Sequence, residues 1–270
     1  MTQFKIGDKN IDFIFQGRDI LYPNPIKEGL ILWYDYKGMK NSDVNKNSSQ
    51  DLTNTIENVG IHDGFIYNSV SGYGKKGIKF DGIDDKITPY VKNADGTAGV
   101  LDFKKINNGQ KYSVDMTLKL SEVHFEQGSE IFLTGGTNGR FWINLIKTND
   151  EYCLSNSTYF GSEGGRVNTF SLSSRNINLG DEINITVTYN KEGYMILYIN
   201  GEEVEKTQLS DIEITSAQDN ELITVIGATQ SDSYYRRFNH ELYSLKIYNR
   251  VLTEQEVKHN YKLEKSRFGL

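Results

Sequence analysis

What most constrains this 270-residue chain is a two-residue alternation that returns along its length. Val114, Met116, Leu118 and Leu120 alternate with Ser113, Asp115, Thr117 and Lys119. Ile183, Ile185, Val187 and Tyr189 alternate with Asn184, Thr186 and Thr188, and Tyr243, Leu245 and Ile247 share one face of a later run. Side chains on a strand point to opposite faces in turn, so this period predicts antiparallel strands with one buried and one solvated face. Leu30, Leu32 and Tyr34 alternate with Ile31, Trp33 and Asp35; with both faces apolar at first, this strand is expected to be central. Tyr194–Ile199 runs into Asn200-Gly201, and Glu202–Thr207 returns. Asn-Gly accepts the positive φ of a type I′ turn, so the pair predicts a hairpin.

Helical signals concentrate in one place. Thr253-Glu254-Gln255-Glu256 has capping-box spacing, and Leu252 with Val257 forms a hydrophobic staple across the start. A short helix is expected, ending near Glu264. Residues 38–58 are rich in Asn, Ser and Asp and read as a long loop. With 25 Gly spread along the chain and 3 Pro, the composition fits many short strands joined by turns.

Charge and cysteine usage narrow the function. The net charge is −6, which disfavours a nucleic-acid partner. Cys153 is the single cysteine, so neither an internal disulfide nor a multi-cysteine zinc site is possible; it is expected to be a small buried hydrophobe. No apolar run reaches the roughly 18 residues of a membrane helix, and Met1–Ile6 lacks the layout of a secretory signal. The expectation is a soluble protein made in a cytoplasm, with no membrane contact.

Residues 1–25 stand apart. Ile11, Phe13 and Phe15 alternate between turns at Gly7-Asp8-Lys9-Asn10 and Gly17-Arg18, and Ile20-Leu21-Tyr22 follows before Pro23-Asn24-Pro25 breaks the pattern. Such a meander buries too little to stand alone, so it must lean on the rest of the chain or on a partner. The expected division is an N-terminal β arm over 1–25, for attachment or oligomerisation, and one domain over 26–270.

Three segments, in this order, resemble the laminin-G-like, concanavalin A-like jelly rolls. Gly29–Tyr36 is similar to that family's opening strand. Phe80-Asp81-Gly82-Ile83-Asp84-Asp85 resembles its signature turn. Glu241–Thr253 resembles its closing strand and capped helix. The resemblance implies an all-β, two-sheet antiparallel jelly-roll sandwich with one short C-terminal helix and a small N-terminal β-meander arm. It implies binding of carbohydrate or protein, with glycan hydrolysis in a minority of the wider superfamily. Residues 1–22 resemble small β modules at the ends of tail and fibre proteins in phages of low-GC Gram-positive bacteria. Together these imply a non-catalytic virion protein, attached to other virion proteins through residues 1–25 and associating as a homo-oligomer. Its jelly roll would bind host cell-wall glycan or decorate the particle. A purely structural virion scaffold and a glycan hydrolase are the alternatives.

Candidate residues follow from the chemistry of each role. Sugars are held by aromatic faces and planar polar groups, which points to two expected loop regions, one with Tyr234, Tyr235, Arg236 and Arg237 and the other with Trp142 and, later, Tyr159. The plainer expectation for Trp142 and Phe160 is that they are core residues of the sandwich. Calcium, which the family often binds through Asp, points to Asp81, Asp84 and Asp85, although Asp81 in such a turn more often bonds backbone amides. Hydrolysis needs paired carboxylates; the pattern the resemblance implies for it is Glu, apolar, Asp, apolar, apolar, Glu, and the nearest segment, Asp211-Ile212-Glu213-Ile214-Thr215, lacks the last carboxylate because Ser216 occupies its place. No catalytic residue is assigned. His62, His124, His240 and His259 are widely spaced, lack metalloprotease spacing, and are expected at the surface or in turns.

Overall fold

The computed structural model describes residues 5–11, 13–16, 19–53, 58–92, 98–103, 110–121, 129–136, 139–148, 151–160, 170–209, 224–227 and 238–270. The arm holds β1 (Lys5–Ile6), β2 (Lys9–Asn10), β3 (Ile14–Gln16) and β4 (Asp19–Tyr22), paired as two small hairpins. The first part of the jelly roll contributes β5 (Leu30–Asp35), β6 (Ser48–Gln50), β7 (Val59–Asp63), β8 (Gly72–Tyr73), β9 (Ile78–Lys79), β10 (Lys86–Lys92) and β11 (Ala98–Val100). Then come β12 (Lys111–Lys119), β13 (Ser129–Gly136), β14 (Gly139–Thr148), β15 (Glu151–Phe160) and β16 (Phe170–Ile177). The chain ends with β17 (Glu182–Asn190), β18 (Tyr194–Ile199), β19 (Glu202–Gln208), β20 (Thr224–Ile226), β21 (Glu241–Tyr248) and helix α1 (Glu254–Phe268).

These strands form two antiparallel sheets. One runs β19-β18-β17-β12-β21-β9-β8, with β5 also on β21; the other runs β16-β15-β14-β13-β20-β10-β7-β6, with β11 on β10. Neighbours in space come from distant parts of the sequence, as in a jelly roll. Val114, Met116 and Leu118 of β12, Ile185 and Val187 of β17 and Leu245 and Ile247 of β21 meet Ile87, Ile143, Leu145, Leu154 and Ile226 of the opposite sheet in one continuous core. The alternation thus places its apolar faces as expected. Cys153 is buried. The Asn200-Gly201 turn forms with φ of 52° and 78°, the left-handed values of a type I′ hairpin.

The polar faces of β12, β17 and β21 are not solvated. Ser113, Asp115, Thr117, Asn184, Thr186, Ser244 and Lys246 are all buried. Helix α1 covers them with Val257, Asn260, Leu263, Glu264, Arg267 and Phe268. The alternation distinguishes the two faces of a strand but does not reveal what covers the second one. The helix is also longer than expected, 15 residues through Phe268. Gly269, at φ 72° and ψ 43°, stops it by donating its N–H to the Lys265 carbonyl.

Among the described residues strand β5 pairs with β21 alone, so it is an edge and not a central strand. Its outer edge is closed by the chain itself: Trp33 N donates to Asp51 Oδ1 at 2.9 Å, and Leu52 N donates to the Trp33 carbonyl at 2.9 Å. Leu32 and Tyr34 face the core while Trp33, 1% exposed, is buried on the other face, which explains the two apolar faces. The expected loop over 38–58 carries the short strand β6.

The arm packs on this body. Ile20 and Tyr22 are buried, Lys27 Nζ donates to the Ile20 carbonyl at 2.7 Å, and His259 Nε2 of α1 lies 3.0 Å from the Asn24 carbonyl.

Candidate functional site

The acidic turn folds for local reasons. Gly77 lets β9 approach β21, since a Cβ there would lie 2.2 Å from the Leu242 carbonyl oxygen. Phe80 drives into the core against Phe65 and Phe238, and Gly82 takes φ 74°. Asp81 Oδ1 accepts from Ile83 N at 2.7 Å and Asp84 N at 3.4 Å, the backbone-amide role expected of it. Asp85 is buried; it accepts from Ser71 Oγ at 2.9 Å and from Asp81 N at 2.7 Å. Burial, with the charges of Asp81 and Asp84 added, lifts the Asp85 carboxyl to about 6.

Asp81, Asp84 and Asp85 bring carboxylate oxygens within 4.8 Å of one another. Oxygen donors suit calcium, which takes about 6–8 of them. Both Asp85 oxygens and one Asp81 oxygen already accept hydrogen bonds. A calcium ion here would therefore draw most of its shell from outside the three side chains.

A second site lies in the seam between arm and jelly roll. A cavity of about 160 Å³ is lined by Phe13 and Phe15 of the arm and by residues of β5, β6 and their flanks, Tyr36, Ser49, Gln50 and Tyr73 among them. The Phe13 and Phe15 rings stack at 5.9 Å. Behind the wall a chain of hydrogen bonds runs inward. Tyr36 Oη and Ser49 Oγ are 2.7 Å apart, Ser49 Oγ and His62 Nε2 are 2.7 Å apart, and His62 Nδ1 lies 3.0 Å from Tyr67 Oη. Burial pushes His62 down to about 4, so the ring is neutral near pH 7. Ser49 is 3% exposed and divides its hydroxyl between two neighbours. That is how a buried polar chain satisfies itself, rather than how a free nucleophile is presented.

The charged centre beneath α1 has no counterpart in the sequence reading. Lys246 Nζ reaches Glu264 Oε1 at 3.0 Å and Asp115 Oδ2 at 3.4 Å; Arg267 Nη1 reaches Asp35 Oδ2 at 2.5 Å and Glu264 Oε1 at 3.6 Å. Asn184 and Asn260 donate to Asp115, and Ser244 donates to Glu264. Burial alone would lower Lys246, but Glu264 and Asp115 hold it above its usual value. Burial alone would raise Glu264, but Lys246 and Arg267 hold it below. The signal was present in Asp115 and Lys246, charges set within runs of β-formers.

The remaining candidates fall as follows. Trp142 is half-buried on β14 and alternates with Ile143 and Leu145, which face the core, so it sits on the outer face of its sheet and is not a core residue. With the Asn144 amide oriented to suit its neighbours, Trp142 Nε1 donates to it at 2.7 Å. Both positions lie on strands rather than in the loop expected of them, and the β14–β15 register puts position 159 on the same sheet face as Trp142. Tyr234, Tyr235, Arg236 and Arg237 lie outside the described residues, as do Asp211, Glu213 and His124. His62 is half-buried on β7 and His240 is fully buried, where a surface or turn position was expected of each. His240 is 1% exposed, its Nδ1 accepts from Ser121 N at 2.8 Å, and burial lowers it to about 3. Each is one turn or strand from the core, where aromatic neighbours enclose it.

Comparison with known proteins agrees with this architecture. The family model described as concanavalin A-like lectin/glucanases superfamily (Laminin_G_3) matches residues 92–258, and the chain belongs to that family. No curated protein sequence matches. Among solved structures, a Trypanosoma rangeli sialidase mutant displaying trans-sialidase activity is similar with TM-score 0.60 and 13% identity, over 90% of this chain and 34% of that one. The receptor-binding domain of botulinum neurotoxin C/D mosaic serotype is similar with TM-score 0.60 and 17% identity, over 88% of this chain and 52% of that one. The binding domain of botulinum neurotoxin DC, solved in complex with rat synaptotagmin II, gives TM-score 0.55 and 15% identity, over 88% and 52%. This chain thus spans about a third to a half of those it resembles. At such identities the likeness is one of fold.

Proposed function

We infer that this protein is a non-catalytic glycan-recognition module of a virion tail or fibre. The observation that carries the glycan part is an open cavity walled by aromatic rings and lined by hydroxyl and amide groups, on a chain of the lectin/glucanase superfamily. Aromatic faces take the apolar side of a sugar while planar polar groups take its hydroxyls. The non-catalytic part is supported by the use made of the three carboxylates buried beneath α1. Asp35, Asp115 and Glu264 are each committed to Lys246 or Arg267. The virion part rests on the resemblance of residues 1–22 to phage tail and fibre modules. There the arm would join other virion proteins, and many copies would turn weak binding at each site into firm attachment to host cell-wall glycan. A glycan array probed with the full chain, with and without calcium, tests this reading. Retention of a defined set of intact glycans supports it; an empty array, or release of reducing ends, overturns it.

A further inference from the structure

We propose that the cavity between the arm and the jelly roll binds a single uncharged pyranose ring, with Phe15 as its stacking platform. This rests on the glycan-binding reading above and gives it a place and a ligand class.

Size sets the first limit. The cavity is about 160 Å³, well under the roughly 300–1,000 Å³ of sites for drug-sized ligands. It accommodates one ring, and a longer glycan would extend from the mouth. The walls set the second. Phe13 and Phe15 come from the arm and Tyr36 and Tyr73 from the jelly roll, so aromatic rings stand on both sides. Phe15 is 57% exposed, an open ring on a chain that buries Tyr34, Phe80, Phe103 and Phe238 almost completely. It stacks on Phe13, whose ring lies 5.4 Å from the Arg267 guanidinium. The platform is thus braced from behind by the charged centre beneath α1.

Charge sets the third limit. Asp35 and Lys37 are the charged residues lining the cavity, and both are already engaged. Asp35 accepts from Arg267 Nη1 at 2.5 Å and from Lys37 N at 3.1 Å. Lys37 Nζ donates to the Arg267 carbonyl at 2.6 Å and lies 5.5 Å from the centre of the Phe268 ring. Among the described lining residues a sugar carboxylate would find no free cation, and it would be set beside Asp35. What the lining offers is uncharged: the Ser48 hydroxyl on β6, which donates to the Asn45 carbonyl at 3.3 Å and keeps its acceptor capacity, and the exposed Gln50 amide, which can both donate and accept. That set suits sugar hydroxyls.

The test uses the full chain, with methyl hexopyranosides as neutral probes and N-acetylneuraminic acid as the charged probe, read by ligand-observed NMR titration. At least one neutral glycoside should bind with Kd on the order of 1 mM, and N-acetylneuraminic acid should not. Phe15→Ala should weaken binding about tenfold or more with an unchanged melting temperature, because the ring is largely exposed, and Phe15→Trp should restore it. Unchanged affinity in Phe15→Ala would overturn this site while leaving glycan binding standing elsewhere, such as at residues 234–237. Preference for the acid would overturn the uncharged class. Blank neutral probes with a positive glycan array would overturn the proposal alone; a blank array as well would remove the underlying reading.

Discussion

At the scale of single residues, the charged centre beneath α1 is where one substitution matters most. Lys246 is 1% exposed and stands between Asp115 and Glu264. Removing it leaves two buried carboxylates short of a cation, so Lys246→Met should cost about 3–5 kcal/mol in chemical denaturation, and adding Glu264→Gln should recover part of that. The interior titrating groups pull in opposite directions. His62 and His240 are held near 4 and near 3, below the unfolded value of 6.5. The unfolded chain therefore takes up their protons first, and stability that is complete above pH 6.5 is lost as pH falls. Asp85 is held near 6, above its unfolded 3.8, so its contribution is complete below 3.8 and lost as pH rises toward 6. Replacing Asp85 by Asn removes the opposing change, and unfolding free energy should then fall more steeply between pH 6.5 and 4, by up to about 3 kcal/mol. The amide-binding role of Asp81 was legible from the Asp-Gly turn. The burial of Asp115 and Lys246 was not, because strand periodicity carries no record of a covering helix, whose Asn260 reaches Asp115 across 145 residues of sequence.

At the scale of elements, the helix start was the most legible boundary. Thr253 Oγ1 accepts from Glu256 N at 3.3 Å, and Glu256 Oε2 accepts from Thr253 N at 2.8 Å. Arg250 also clamps Glu256 at 2.8 and 2.7 Å, and its guanidinium holds the Glu256 carboxyl down to about 2. Thr253→Ala should cost about 1 kcal/mol in unfolding free energy. The helix end was less legible because its last turn is fixed by burial of Leu263, Arg267 and Phe268, a tertiary cause. Strand β5 was misplaced for a related reason. Two apolar faces signal two covers, and here the second cover lies over an edge strand. Gly77→Ala tests the tight approach of β9 to β21; overpacking there should cost about 1–3 kcal/mol.

At the scale of the whole molecule, the jelly roll was readable because its core depends on alternation and turn chemistry, both local. The seam cavity was not, because Phe13 and Phe15 meet Tyr36 and Tyr73 only after the arm folds back. A chain lacking residues 1–25 should keep the strand-rich circular dichroism of the full protein. It should melt at a lower temperature, since Ile20 and Tyr22 no longer cover the body. It should also lose the neutral-sugar affinity assigned to the seam. The account depends most on sugar being held without being cut. The direct measurement is mass analysis of array-retained oligosaccharide after prolonged incubation with the pure full-length chain. The account predicts bound glycan recovered at its original mass; shortened products, or no retained glycan at all, would contradict it.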